Sequence, residues 1–283
     1  MVIETSKRLR YNTSIVYKLI ALDLDGTLLD ASHQLPEANA EALRQAMERG
    51  VRVVIATSRW HGIEPERRGD ILAQRLGIDT PLVCSNGAQV RDSDGRDLLL
   101  LPLDDGIARE VTQLGDDGGW EMFTTIGDAT YMQPRPNVIP EKLPAGLKVA
   151  ARQSEHIGEA ATVSVLVFGQ NAVDELEARY GAAGDHRARF SFNRPVGLPP
   201  YVVLTHPEAD KARALDLVCR QLGVAPDETI AMGDSESDLE MLRYAGLGIA
   251  MRNAPDSVKR AALHIAPANT EYGVAWAVRR FLL

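Results

Sequence analysis

At 283 residues the chain exceeds one ordinary domain, and 45% hydrophobic with 25% charged residues is the composition of a globular protein with a filled core. A formal net charge of -8 argues against a surface that follows a nucleic-acid backbone, which needs clustered Lys and Arg. Cys84 and Cys219 are too few for a disulfide framework and each lies in an apolar run, so buried thiols and a reducing, cytoplasmic setting are expected.

Met1 to Lys18 carries Lys7, Arg8 and Arg10 without the apolar run of a signal peptide, and is read as an N-terminal extension, residues 1–18. No stretch is long and apolar enough to suggest a bilayer span. Leu19 to Leu24, apolar except for Asp23, suits a buried parallel strand ending in a polar loop. Pro36, Leu43, Met47 and Gly50 mark an amphipathic helix with its start and stop, and Val51 to Ala56 is a second buried strand. A helix through Ile71 to Leu76, stopped by Gly77, precedes a strand at Leu82-Val83-Cys84 that runs into Ser85-Asn86-Gly87. This alternation predicts a doubly wound parallel sheet.

The pattern then changes. Asp92-Ser93-Asp94-Gly95 between apolar segments signals a hairpin. A helix around Ala108, strands at Glu121 to Thr125 and Thr162 to Phe168, a helix around Leu176 and a strand near Phe190 read as an α+β insertion over about residues 101–198, interrupted by the proline-rich Pro134 to Gly146. From Tyr201 the first pattern resumes: strand Val202 to Leu204, helix Ala212 to Leu222, strand Ile230 to Met232, helix Leu239 to Tyr244, strand Leu247 to Ala250, and a last helix near Val274 to Phe281. The expected division is a core of residues 19–100 and 199–283 around the insertion. No repeats or low-complexity tracts stand out.

Ligands of open α/β sheets bind beyond the carboxyl ends of strands, so polar residues directly after apolar runs are the candidates. Asp23 and Asp25, two apart in extended backbone, can face the same way, and Gly26 permits a sharp turn that offers N–H groups to an anion. One carboxylate can then attack phosphorus while the other moves protons. An Asx turn closing the strand is the alternative. Thr57 can donate to a phosphate oxygen or cap a helix, and Arg59 can reach a substrate or pair on the surface. Asp234 and Asp238, four apart at a strand end and helix start, can join Asp23 in a three-carboxylate cluster, which calls for a cation such as Mg2+, or they can complement a helix dipole. Lys211, in a loop entering a helix, can supply fixed positive charge or be a solvated lysine. The histidines show no metal-ligand spacing and are read as structural or surface residues.

In this order, Asp23-Leu24-Asp25-Gly26-Thr27, Thr57-Ser58-Arg59, Lys211 and Gly233-Asp234-Ser235-Glu236-Ser237-Asp238 resemble the four motifs of the haloacid dehalogenase-like hydrolases. The insertion resembles a type IIB cap, as in the Cof-like phosphatases. Ser85-Asn86-Gly87-Ala88, the stretch Gly248 to Ala254 and Asn269 to Ala275 are similar to segments of that subgroup. The resemblance implies an α/β Rossmann-like core with an inserted cap and a Mg2+-dependent phosphatase acting on a small phosphorylated metabolite, sugar phosphates first. It makes Asp23 the nucleophile and Asp25 the general acid and base, with Thr57 on the phosphoryl oxygens and Lys211 neutralising charge. Metal ligands would be Asp23, Asp25 through its carbonyl, and Asp234, with Asp238 supporting them; Ser58, Arg59, Asn86 and Gly87 would contact substrate. Three residues depart from the subgroup's pattern: Ser58 for Gly, Ser237 for Asn and Arg252 for Gly. A phosphosugar mutase of the same superfamily and a non-catalytic metabolite-binding protein are the alternative expectations.

Overall fold

The computed structural model describes residues 16–59, 69–136, 138–143, 146–181, 184–194 and 199–283. The N-terminal extension therefore lies outside the described residues up to residue 15. Elements run in the order β1 (Leu19–Leu22), α1 (Glu37–Glu48), β2 (Arg52–Ile55), α2 (Gly69–Leu76), β3 (Leu82–Cys84), β4 (Gln89–Arg91) and β5 (Asp97–Leu100). There follow α3 (Asp105–Gly118), β6 (Glu121–Ile126), β7 (Ala129–Met132), β8 (Leu147–Val149), β9 (Thr162–Phe168), α4 (Gln170–Tyr180), β10 (Arg189–Asn193) and β11 (Tyr201–Thr205). The chain ends with α5 (Lys211–Leu222), β12 (Thr229–Gly233), α6 (Leu239–Tyr244), β13 (Leu247–Met251), α7 (Asp256–Ala261), β14 (His264–Ala266) and α8 (Gly273–Phe281).

Among the described residues, β14-β13-β12-β1-β2 form a sheet in that order, with every pairing parallel. Its strands are apolar on both faces because both are covered. Ile20, Leu22, Val53, Ile55, Ile230 and Met232 pack against Leu43 of α1, Leu72 of α2 and Val274 and Val278 of α8. Leu19, Ala21, Val54 and Ala231 face Leu215 and Val218 of α5, Met241 of α6 and Val258 of α7. Each buried Val, Leu, Ile or Met side chain among these contributes about 1.5–3 kcal/mol, so the two layers fix the register that aligns the strand ends.

A second sheet, ordered β10-β11-β9-β6-β7-β8, is antiparallel except for the parallel pair β7 and β8. Helices α3 and α4 cover one face, where Met122, Val165, Val167, Val202 and Leu204 meet Ile107, Val111, Val173 and Leu176. Asp104 caps α3 by accepting from Ile107 N at 3.0 Å.

Two strands depart from expectation. The run Val202 to Leu204 lies in β11, which pairs with β9 and β10 and not with the parallel sheet. Both its faces are shielded, so the run carries no period-2 signal to tell it from a parallel strand. Strand β3 joins β2 through a single parallel bridge, Ala56 to Val83, and otherwise pairs antiparallel with β4 in the hairpin meander β3-β4-β5. The short β7, β8 and β14 and helix α7 have too few residues for a periodic signal and were not anticipated. Among the described residues no helix is long and apolar enough to cross a membrane.

Asn39 of α1 ties three segments together from a fully buried position. Its Nδ2 donates to Leu28 O at 3.0 Å and its Oδ1 accepts from Ala275 N at 3.0 Å. Asn39→Ala strands both partners, so we expect a loss of about 2–4 kcal/mol, read as a lower urea midpoint at unchanged slope. Burial pushes the Cys84 thiol from an ordinary 9.0 up to about 12. The folded state thus keeps a proton that the unfolded chain gives up. Its contribution to stability is complete below pH 9 and falls as pH rises toward 12. Native protein at pH 8 should therefore resist iodoacetamide at Cys84, with labelling appearing only on unfolding.

Candidate active site

The ends of β1 and β12 are adjacent, and Asp23 and Asp234 are the first residues past or at those ends. Asp23 N donates to Met232 O at 3.0 Å, carrying the ladder one residue beyond β1. The chain then closes a wide turn, with Leu28 N on Asp23 O at 3.2 Å and Leu29 N on Leu24 O at 2.9 Å. Gly26 sits in it at φ 79°, where a Cβ would stand 2.2 Å from Asp234 Oδ2. Only glycine allows this approach of backbone to carboxylate.

Lys211, the first residue of α5, is 1% exposed and donates from Nζ to Asp23 Oδ1 at 2.7 Å and to Asp238 Oδ1 at 2.6 Å. Burial works to lower its pKa, but the charges of Asp23 and Asp238 and their hydrogen bonds outweigh it and hold the ammonium protonated. Asp238, at the end of a one-turn 3₁₀ segment, is anchored further. Its Oδ2 accepts from Asp234 N at 3.1 Å, Ser235 N at 2.9 Å and Ser235 Oγ at 3.0 Å. Asp234 accepts from Thr27 Oγ1 at 3.2 Å and from Asn253 Nδ2 at 3.2 Å.

Oxygen atoms of Asp23, Asp234 and Asp238 lie within 4.8 Å of one another. Three carboxylates around one ammonium leave two formal negative charges, the complement of one divalent cation. Burial, then Asp238 and Asp25, push the Asp23 carboxyl up to about 7 against the pull of Lys211. Burial and the charges of Asp23 and Asp238 likewise push Asp234 well up. Oxygen donors that repel one another out of water are a set that a hard cation relieves. The residues fit a hard divalent cation, with Asp23 and Asp234 best placed to bind it. Asp238 is occupied by its own donors.

Asp25 is treated differently. Arg59 grips it through Nε on Oδ2 at 2.5 Å and through a terminal nitrogen on Oδ1, and His33 Nδ1 lies 2.8 Å from Oδ1. Burial works upward on its carboxyl but is outweighed by His33 and Arg59, which bring it down to about 2. His33 is held at φ 56° in a turn organised by Asp30, whose Oδ1 accepts from Ser32 N and Gln34 N. The histidines were read as structural or surface residues, and His33 is a half-exposed one that pairs with Asp25. A turn residue with a positive φ in Asp30-Ala31-Ser32-His33 was the available signal. Asn253, quoted only as part of a recurring stretch, also donates to Gly26 O at 2.8 Å.

Thr57 lies just beyond β2, almost wholly buried, and its Oγ1 accepts from Arg59 N at 3.1 Å, which leaves its own proton to give. Ser58 is half-buried beside it. Asn86, at φ 54°, is buried and its N–H donates to Thr57 O at 3.1 Å; its side-chain Oδ1 has no partner among the described residues. Gly87, at φ 89°, lies against the start of α5, where a Cβ would stand 2.3 Å from Asp210 O and 2.9 Å from Lys211 N. Its close packing seats the buried lysine.

The family model for haloacid dehalogenase-like hydrolases matches residues 20–278. Phosphatase YwpJ of Bacillus subtilis is 32% identical, with 94% of this chain and 100% of YwpJ aligned. A second protein of that organism, the 5-amino-6-(5-phospho-D-ribitylamino)uracil phosphatase YcsE, is 31% identical over 94% of this chain and 96% of its own length. A solved haloacid dehalogenase-like hydrolase from B. subtilis superposes with a TM-score of 0.77 at 28% identity, covering 94% of this chain and 100% of that one. Motif order, strand-end geometry and these matches agree: the chain belongs to the haloacid dehalogenase-like hydrolases and, within them, to the Cof-like phosphatases.

Proposed function

We propose that this phosphatase hydrolyses the phosphate monoester of a small metabolite, with Asp23 as nucleophile. The observation that carries the reading is the Asp23 carboxylate, oriented by the buried Lys211 ammonium at 2.7 Å and flanked by Asp234 at the end of the neighbouring strand. The name of the relative YcsE, which specifies a phosphorylated ribitylaminouracil, supports a small phosphorylated substrate.

In the first half-reaction an Asp23 oxygen attacks phosphorus, the ester bond breaks, and the departing alkoxide takes a proton from Asp25. In the second, Asp25 removes a proton from water, the water oxygen attacks phosphorus, and Asp23 departs as carboxylate. Thr57 donates to the phosphoryl oxygens. Lys211 offsets the charge that Asp23 and the phosphoryl group share. Bound through Asp23 and Asp234, with Asp238 behind them and the Asp25 carbonyl as a further donor, Mg2+ would stabilise negative charge on the phosphoryl oxygens. Arg59 and His33 hold Asp25 ionised, as the second half-reaction requires. The first requires that grip to loosen, and a substrate phosphate that draws Arg59 away would loosen it. Ser58 and Asn86 then line the phosphate side, while Gly87 acts through packing. In this reading residues 101–198 together with β11 act as the cap over a core of 19–100 and the rest of 199–283, and its closure excludes water.

Asp23→Asn should abolish both turnover and transfer of radiolabelled phosphate to the protein, measured after acid quenching with a labelled ester. Full activity in that variant would remove Asp23 as the nucleophile. Asp25→Asn should slow turnover by about 10²–10⁴-fold while substrate still binds. Chelation with EDTA should silence hydrolysis of p-nitrophenyl phosphate and excess Mg2+ should restore it. Activity that survives exhaustive chelation contradicts the metal reading.

A further inference from the structure

Two oxygens that only accept hydrogen bonds are brought to one place in this site, the Gly26 carbonyl and Asp234 Oδ2, and both lie against a single nitrogen. That nitrogen is Asn253 Nδ2, 2.8 Å from the first and 3.2 Å from the second. A side-chain amide carries two N–H groups on one atom, so it can serve both oxygens at once and offset the repulsion between them. On its other side Asn253 Oδ1 accepts from Asn269 N at 3.1 Å. Two acceptors facing one end of the amide and a donor facing the other leave a single orientation that satisfies all three contacts.

The anchor of that amide is itself held. Asn269 is buried, and its Nδ2 donates to Leu29 O at 2.9 Å. The turn after Asp23 is thus gripped at two carbonyls, Gly26 and Leu29, by two asparagines that lie 16 positions apart near the C-terminus. Asp234 is gripped on both oxygens, Oδ1 by Thr27 Oγ1 and Oδ2 by Asn253. A carboxylate with a donor on each oxygen cannot rotate without losing one of them, and each oxygen keeps a lone pair for a cation. The Gly26 carbonyl is also one residue from that of Asp25, so fixing the first limits the swing of the second. Asn253 is exposed, and both its N–H groups are engaged, which leaves it no donor for a phosphate.

We propose that Asn253 is a positioning residue for the divalent cation: it fixes the Asp234 carboxylate and the backbone beside the Asp25 carbonyl, and so raises metal affinity while touching neither metal nor substrate. The inference rests on the metal site of the phosphatase reading. It assigns Asn253 a share of metal affinity and none of ester binding.

The test is a titration of the full chain with Mn2+ alone, in which the electron paramagnetic resonance signal of the free ion gives site number and Kd separately. Misfolded material lowers the first and not the second. In Asn253→Ala the Kd should rise by about 10-fold. Arg252→Ala, which removes an exposed neighbour paired with Glu271, should bind Mn2+ as the parent does. With p-nitrophenyl phosphate, the Mg2+ concentration for half-maximal rate should rise in Asn253→Ala by the same factor as the Mn2+ Kd, while kcat and the ester KM at saturating Mg2+ match the parent. An unchanged Mn2+ Kd in Asn253→Ala, an equal rise in Arg252→Ala, or a raised ester KM at saturating Mg2+ overturns the positioning role and leaves the phosphatase reading standing. A parent protein that hydrolyses the ester and binds no Mn2+ overturns the metal site and this inference with it. If no ester is hydrolysed, the phosphatase reading falls, and the Mn2+ titration still decides the role of Asn253.

Discussion

The ammonium of Lys211, sealed between Asp23 and Asp238, is the constraint on which the site depends. An ammonium and two carboxylates out of water carry a large desolvation cost, offset only while both ion pairs keep their geometry. That requirement couples three pieces of chain far apart in sequence: the end of β1, the 3₁₀ turn after β12, and the first residue of α5. Sheet order does the rest. Because β1 lies between β12 and β2, Asp23 has Asp234 beyond one neighbouring strand and Thr57 beyond the other. Lys211 also follows β11 by only a short linker, Asp210 being the α5 cap. The ammonium that pairs with Asp23 is therefore close in the chain to the antiparallel sheet.

The carboxylates of the site are held in two opposed electrostatic states. Asp23 and Asp234 share a buried, under-neutralised pocket that pushes both upward, which is the condition for holding a cation. Asp25, two residues from Asp23, is turned toward Arg59 and His33 and held down. Environments that drive neighbouring acids apart give each a different task, and the proposed division is between Asp23 and Asp234 toward a cation and Asp25 toward protons. Gly26, next in the chain after Asp25, brings the backbone against Asp234 at a positive φ, while Arg59 and His33 hold the Asp25 side chain.

Residues just after apolar runs were legible in the sequence because a buried strand can end only where polar groups meet solvent or ligand. Asp23, Thr57 and Asp234 were found that way. The pairing of Lys211 was not, since nothing in its own segment distinguishes a solvated lysine from one buried against residues 188 and 27 positions away. His33 and Asn253 escaped for the same reason. The first acts through a left-handed turn on a side chain eight residues back, and the second through a contact 227 residues away in sequence. Strand β11 was misassigned because burial on both faces erases the period that would reveal which sheet it joins.

The departures from the subgroup's pattern bear on whether the site is intact. Arg252 is exposed and pairs with Glu271 at 2.9 Å, so its charge is spent on the surface. Ser237, where an amide is usual, has its Oγ 2.8 Å from Ser235 Oγ, and Ser235 Oγ in turn donates to Asp238 Oδ2 at 3.0 Å. A short hydroxyl chain thus runs from Ser237 to Asp238. Asp234 accepts from Asn253, which is itself set by Asn269 N donating to its Oδ1 at 3.1 Å. With Asp238 fixed by Lys211 and two backbone N–H groups, and Asp234 by Thr27 and Asn253, neither carboxylate depends on residue 237 for its orientation. Ser237 in place of the subgroup's Asn therefore leaves Asp234 and Asp238 oriented by other residues.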